Sequence, residues 1–156
     1  MGMRVGTGVD AHRFGLGRPL LLGTLRVDHP EGLMGHSDGD VIAHAVCDAL
    51  LAACGLPDIG VVFPSGDPRW AGVSGARMLA VVAERMAEAG FAVVNVHAVA
   101  VCEAPRLAPY REGMAAAMSS IIGGPVTVAA TTTDGLGALG RGEGVACTAV
   151  ALVESA

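Results

Sequence analysis

Residues 35–57 read GHSDGDVIAHAVCDALLAACGLP, and this stretch sets the central helix of the fold. Val41, Ala45, Leu50 and Leu51 supply its apolar face. Ser37 or Asp38 stands where an N-cap oxygen is needed, and Asp40 in the first turn favours the positive end of the dipole. Gly55 and Pro57 stop the helix. Upstream, Met3–Val9 reads as a strand in which Gly6 and Gly8 permit close backbone approach. After the Gly-Leu-Gly-Arg-Pro turn, Leu20–Val27 reads as a second strand. Downstream, Asp58–Trp70 is a loop punctuated by Pro and Gly, and Ser74 opens a second helix through Met78, Val81, Val82 and Met86 that closes at Gly90. Phe91–Cys102 is a β-branched run, Pro109–Ile122 a third helix, and Val126–Ala130 and Val145–Val153 the last strands. The pattern predicts one sheet covered on one face by about three helices, an α/β (α+β) sandwich, with the whole of 1–156 as a single domain.

Composition narrows the function. The formal charge is −5, and all ten cations are arginines, so any phosphate held by a cationic side chain is held by a guanidinium fork. An acidic chain without a basic run argues against nucleic-acid binding. No apolar run approaches the roughly 18–20 residues of a membrane span, and residues 1–14 show no secretory leader, so a cytoplasmic protein is expected. Cys47, Cys54, Cys102 and Cys147 sit singly in apolar stretches and read as reduced, buried thiols. With 52% hydrophobic and 16% charged residues, either other copies of the chain cover part of the surface, or the coding bias is toward Ala, Gly, Val and Arg.

Three groups of residues can carry chemistry. Asp10 and His12 are two apart at a strand end and face one side, and with His44 on the first helix they offer three ligands suited to tetrahedral zinc. The alternative is an ordinary surface Asp-x-His. His36-Ser37-Asp38 can present backbone N–H groups to an anion or simply cap the helix, and Asp48, one turn after His44, can support it or accept a hydroxyl. TTTDGLGALGRGEG (131–144) offers hydroxyls and Asp134 to a Mg²⁺-bound diphosphate, or is a polar hairpin; no P-loop is present.

GTGVDAHRF, HSDGDVIAHAVCDALL, GLPDIGVVFP, EAP and TTTDGLGALGRGEG, in this order from Arg4 to Val153, resemble the 2-C-methyl-D-erythritol 2,4-cyclodiphosphate synthases of the non-mevalonate isoprenoid pathway. The resemblance implies a homotrimer of mixed-sheet subunits with active sites between neighbours. It implies closure of 4-diphosphocytidyl-2-C-methyl-D-erythritol 2-phosphate to the cyclic diphosphate with release of CMP. By position, Asp10, His12 and His44 match zinc ligands, His36 and Thr132 the transition-state pair, and Ser37 a phosphate neighbour. Asp58, Ile59 and Gly60 match the ribose side, and Phe63, Pro64, Ser65, Gly66 and Asp67 the loop over the methylerythritol. Cys102, Glu103, Ala104, Pro105, Arg106, Leu107 and Ala108 match the cytosine pocket; Thr131, Thr132, Thr133 and Asp134 match the phosphate and Mg²⁺ or Mn²⁺ segment, and Ala138 and Arg141 lie just beyond.

The chain departs from the family pattern at Asp134 (commonly Glu), Ala129 and Arg106 (commonly Lys), Ser65 and Gly66 in the FPSGDP loop, and Ala138-Leu139 in place of an aromatic. Two rival classes stay open: a metal-dependent phosphohydrolase, and a trimeric binding protein whose central channel, with Arg141 and Glu143, holds an isoprenoid diphosphate.

Overall fold

The computed structural model describes residues 2–155. Its main sheet has five strands in the order β4 (Gly32–Leu33), β1 (Met3–Gly15), β7 (Gly144–Ser155), β5 (Phe91–Val101) and β6 (Val126–Thr131). β7 runs antiparallel to both β1 and β5, whereas β6 is parallel to β5, so the sheet is mixed. The helices lie on one face: α1 (Val41–Cys54), α3 (Gly75–Glu88) and α4 (Arg111–Ile122), with the short α2 (Ile59–Val62) and α5 (Gly137–Gly140) at loop positions.

α1 sits lowest on the sheet, and nearly all of it is buried. It can do so because β1 presents Gly6 and Gly8 beneath it. A Cβ on Gly8 would collide with the Ala45 carbonyl and stand 2.7 Å from the Ala49 nitrogen, and one on Gly6 would strike Ala49 and Ala53. The helix backbone therefore rests on strand backbone, and the side chains of Asp10 and His12, next along the same face, emerge beside α1.

Three local expectations are corrected. β1 does not end at Val9: its ladder with β7 continues to Arg13↔Gly144, which puts Asp10 and His12 inside the strand. Leu20–Val27 is a hairpin, β2 (Leu20–Leu22) and β3 (Leu25–Val27), turned at Gly23 and Thr24, both with positive φ. The cap of α1 is Asp40, whose carboxylate accepts from the N–H of Ala43 and, at 2.8 and 2.7 Å, from those of Gly23 and Thr24. One buried side chain thus closes the helix and the hairpin together. Asp38 is drawn away to the N–H of Gly75 at the start of α3, and Ser37 to His44. Ser74, as expected, caps α3.

The opposite face of the sheet is bare. Val5 and Val9 are 65% and 69% exposed, and across the strands lie Thr7, Thr148, Val150, Val99, Thr127 and Ala129. His97, bonded to the Thr127 hydroxyl at 2.6 Å, sits among them. Part of the apolar excess of the sequence is thus exposed on this sheet face. No helix among the described residues is long and apolar enough to cross a membrane. The four cysteines are unpaired and buried.

Candidate metal centre and phosphate cleft

Asp10 and His12 on β1 meet His44 on α1. Asp10 Oδ2 lies 2.8 Å from His12 Nε2 and 3.0 Å from His44 Nδ1, and the two imidazole nitrogens are 3.3 Å apart. The second nitrogen of each ring is already committed. His12 Nδ1 donates to the Met34 carbonyl at 2.6 Å, and His44 Nε2 shares a hydrogen bond with the Ser37 hydroxyl at 3.0 Å. The carbonyl fixes the His12 tautomer, and with His44 Nε2 donating to Ser37 a lone pair on each ring and a carboxylate oxygen converge. All three ligand atoms lie within 4.8 Å of one another. Three acceptors so close repel unless a cation lies among them, and the N, N, O donor set suits a divalent transition ion.

Without a cation, a proton on an imidazole takes its place between the rings and Asp10. Burial raises the Asp10 carboxyl, but its hydrogen bonds and attraction to His12 and His44 outweigh this and leave it well below the usual carboxylate range. His12 is raised, chiefly by its bond to Asp10, against burial and the nearby charge of Arg18. Asp48 does not reach His44 by a hydrogen bond; it accepts from the Ile59 N–H at 3.0 Å and so anchors α2. Burial pushes its carboxyl upward.

The cluster opens into a cleft of about 330 Å³ lined also by His36, Ser37, Ile59, Gly60, Phe63 and Ser65. Asp58 caps α2 at its rim, and Pro64 and Gly66 are exposed in the adjoining loop. Asp67 is engaged by Arg69, which donates to both of its oxygens. Trp70, Ala71, Val73 and Met78 complete the wall, and the sequence reading had missed them. The one tryptophan, stacked edge-on against Phe63 at 4.9 Å within a Pro/Gly loop, was the available signal.

Cys102, Glu103, Pro105, Arg106, Leu107, Ala108, Thr131 and Thr132 line a second pocket of about 220 Å³, together with Arg111 and Ala130. Ala104 precedes Pro105 in a cis peptide. Beside this pocket Thr133 Oγ1 donates to the Leu136 carbonyl at 2.6 Å, and the Asp134 N–H donates to Thr132 Oγ1 at 3.2 Å. Ala138 and Arg141 fall in neither pocket; Arg141 pairs with Glu143 at 3.0 Å. The two pockets are apart. Asp10 and Ala130 lie in one row of the sheet, through Cys147 and Ala100, at opposite ends of three strand spacings. At about 4.8 Å each, that is roughly 14 Å, too far for one chain to bring Thr132 against the Asp10–His12–His44 cluster.

The sequence profile of the YgbB family matches residues 3–154, which hold both pockets. The chain belongs to the YgbB family. Among family relatives, 2-C-methyl-D-erythritol 2,4-cyclodiphosphate synthase of Desulfatibacillum aliphaticivorans is 48% identical over 155 residues, 97% of this chain and 100% of its own. The enzyme of the same name from Pelotomaculum thermopropionicum is 49% identical over 154 residues, 97% of this chain and 95% of its own. Among solved structures, bifunctional IspDF of Campylobacter jejuni superposes with a TM-score of 0.94 at 33% identity, covering 99% of this chain and 43% of that one. The CDP complex of IspF from Plasmodium falciparum gives 0.85 at 25% identity, covering 99% and 97%.

Proposed function

We propose that this YgbB-family chain, as a single domain over 1–156, converts 4-diphosphocytidyl-2-C-methyl-D-erythritol 2-phosphate into 2-C-methyl-D-erythritol 2,4-cyclodiphosphate and CMP. The observation that carries the reading is the Asp10–His12–His44 cluster opening into a cleft on a chain nearly half identical to synthases of that name. An oxygen of the 2-phosphate forms a bond to the β-phosphorus. The bond from that phosphorus to the bridging oxygen breaks, and CMP leaves with the bridging oxygen. The nucleophile is already a phosphate anion tethered to its target, so positioning and charge stabilisation carry the rate, and no strong base is needed.

Asp10, His12 and His44 are the residues to hold Zn²⁺, which when bound supplies a Lewis acid for a phosphate oxygen. His36 and Ser37, which line the same cleft, donate to phosphate oxygens in this reading. Phe63, Ser65 and Trp70 wall off the methylerythritol, and Asp58 with Ile59 and Gly60 take the ribose side. The pocket from Cys102 to Ala108 takes the cytosine. Thr132 donates to the diphosphate, and Asp134 serves its Mg²⁺ or Mn²⁺.

These two halves are separated within one chain, and the bare sheet face with Val5, Val9 and Val150 calls for an apolar partner. Both features support a homotrimer in which the metal cleft of one subunit faces the Thr132 pocket of the next. Arg141, exposed beside Glu143, is then the cation for an isoprenoid diphosphate in the central channel. A cytoplasmic setting suits the reduced thiols and this small anionic substrate.

The test is phosphorus NMR of the zinc- and magnesium-loaded protein with the linear substrate. Paired doublets of a cyclic diphosphate together with CMP are expected. Inorganic phosphate or a linear monophosphate would instead identify a phosphohydrolase.

A further inference from the structure

Arg18 lies outside both the metal cluster and the cleft lining, yet it controls the loop that joins them. Its Nη1 donates to the Gly35 carbonyl at 3.0 Å, and its Nη2 to the Ser37 carbonyl at 2.5 Å. The carbonyl between them, that of His36, accepts from the Gly72 N–H at 2.9 Å. Every carbonyl of the 35–37 loop is therefore occupied. Its N–H groups are not: among the described residues, neither the His36 nor the Ser37 N–H has a protein partner. In a trans peptide the N–H points opposite to the C=O before it. Turning the Gly35 carbonyl to Arg18 thus turns the His36 N–H away from Arg18, and binding the His36 carbonyl fixes the Ser37 N–H in turn.

We infer that Arg18 is a positioning residue, which clamps the carbonyls on either side of the His36 carbonyl held by Gly72, so that the free N–H groups of His36 and Ser37 form a fixed anion cradle for a substrate phosphate beside the metal cluster. The inference rests on the phosphate-binding reading of the cleft. Two further contacts show that the clamp is built in. Gly32 lacks a Cβ where one would stand 2.8 Å from Arg18 Cγ, so the arginine stem lies against bare backbone. Gly35 presses on the His12 ring, where a Cβ would stand 3.1 Å from Cε1, so the loop is seated on a metal ligand. The two acceptors are two residues apart, and one planar guanidinium spans both; an ammonium satisfies one geometry at a time. Carbonyl oxygens left free to swing toward a phosphate would repel it, so the clamp also removes the competing conformation.

The experiment measures binding of CDP and of cytidine to zinc- and magnesium-loaded parent, Arg18→Met and Arg18→Lys, with zinc content and turnover recorded for each. Arg18→Met is expected to weaken CDP about tenfold and lower kcat by a similar factor, with cytidine affinity and zinc stoichiometry unchanged; Arg18→Lys recovers part of the loss. CDP affinity equal to the parent's, or an equal loss for cytidine and CDP, overturns the assignment. If Arg18→Met does not fold or load zinc, Arg18→Lys decides. A CDP loss of about threefold with cytidine unchanged supports the clamp, and parental CDP affinity overturns it. Parent protein that binds no CDP contradicts the functional reading, and the cradle falls with it.

Discussion

Gly8→Ala tests whether strand–helix contact holds the metal centre together. The new Cβ would collide with the Ala45 carbonyl and stand 2.7 Å from the Ala49 nitrogen. Both are backbone atoms of α1, one turn apart, so no side chain can swing aside. Restoring an ordinary contact of about 3.4 Å to the Ala49 nitrogen alone requires α1 to lift by roughly 0.7 Å, and the nearer Ala45 carbonyl demands more. His44 lies on α1 between the sheet and the cleft, and its Nδ1 is only 3.0 Å from Asp10 and 3.3 Å from His12. Metal sites tolerate ligand displacements of about 0.2 Å, so the lift separates His44 from its two partners on β1. Overpacking of this kind costs about 2–3 kcal/mol, or about 5–10 °C in thermal midpoint for a chain of this length. Zinc affinity should fall by about 10–100-fold. Calorimetry and metal analysis read both effects. Gly66→Ala is the control, since a Cβ there meets nothing within 4 Å, and it should change neither. A Gly8→Ala protein melting within about 1 °C of the parent with full zinc would refute the argument.

Asp40→Ala removes the cap of α1 and strands the Gly23 and Thr24 N–H groups in a buried turn, so it should cost about 3 kcal/mol by denaturant melt, with Asp40→Asn costing less. The metal-stripped protein should lose stability as pH rises through the region above 6.5, because His12 has a raised folded-state pKa and its contribution is complete only below the unfolded value. Zinc affinity should move the opposite way, rising with pH as His12 deprotonates, and His12→Gln should flatten the first trend in thermal melts. Asp134, with φ +52° in an exposed turn, is one methylene shorter than the Glu common at this place and suits water-mediated Mg²⁺ binding. Asp134→Ala should raise the Mg²⁺ concentration for half-maximal rate, Asp134→Glu should restore or lower it, and zinc content should stay constant in both.

The sequence showed the Asp10–His12–His44 cluster because its spacing follows from one strand and one helix: an i, i+2 pair and a histidine one turn into the amphipathic segment. It also showed Gly6 and Gly8 as a close approach, since a glycine pair two apart on one strand face has few other uses. The sequence points to Ser37 or Asp38 as the cap of α1 and to Asp40 as a first-turn residue, whereas the structure makes Asp40 the cap. Tertiary contacts chose between them: Asp38 is needed at Gly75, Ser37 at His44, and Asp40 by the hairpin. The hairpin itself was hidden by the apolar run Leu20–Val27, in which Gly23 alone marks the turn. Asp48 pointed by helical spacing to His44, but the loop amide of Ile59 claimed it. Periodicity also cannot show that β1 and β6 stand three strands apart, which is what divides the candidate site into two pockets.

That division gives the most direct test of a cyclisation site shared between copies. His44→Ala should disable the metal cleft and Thr132→Ala the opposite pocket, so each homotrimer is expected to be inactive. After subunit exchange at equal amounts, a site is whole when the cleft comes from a Thr132→Ala subunit and the neighbouring pocket from a His44→Ala subunit. Random mixing in a cyclic trimer makes about a quarter of the sites whole, so about a quarter of the parental rate of cyclic diphosphate and CMP formation should return. A mixture no more active than its separate components, with exchange verified by mass, would contradict the account.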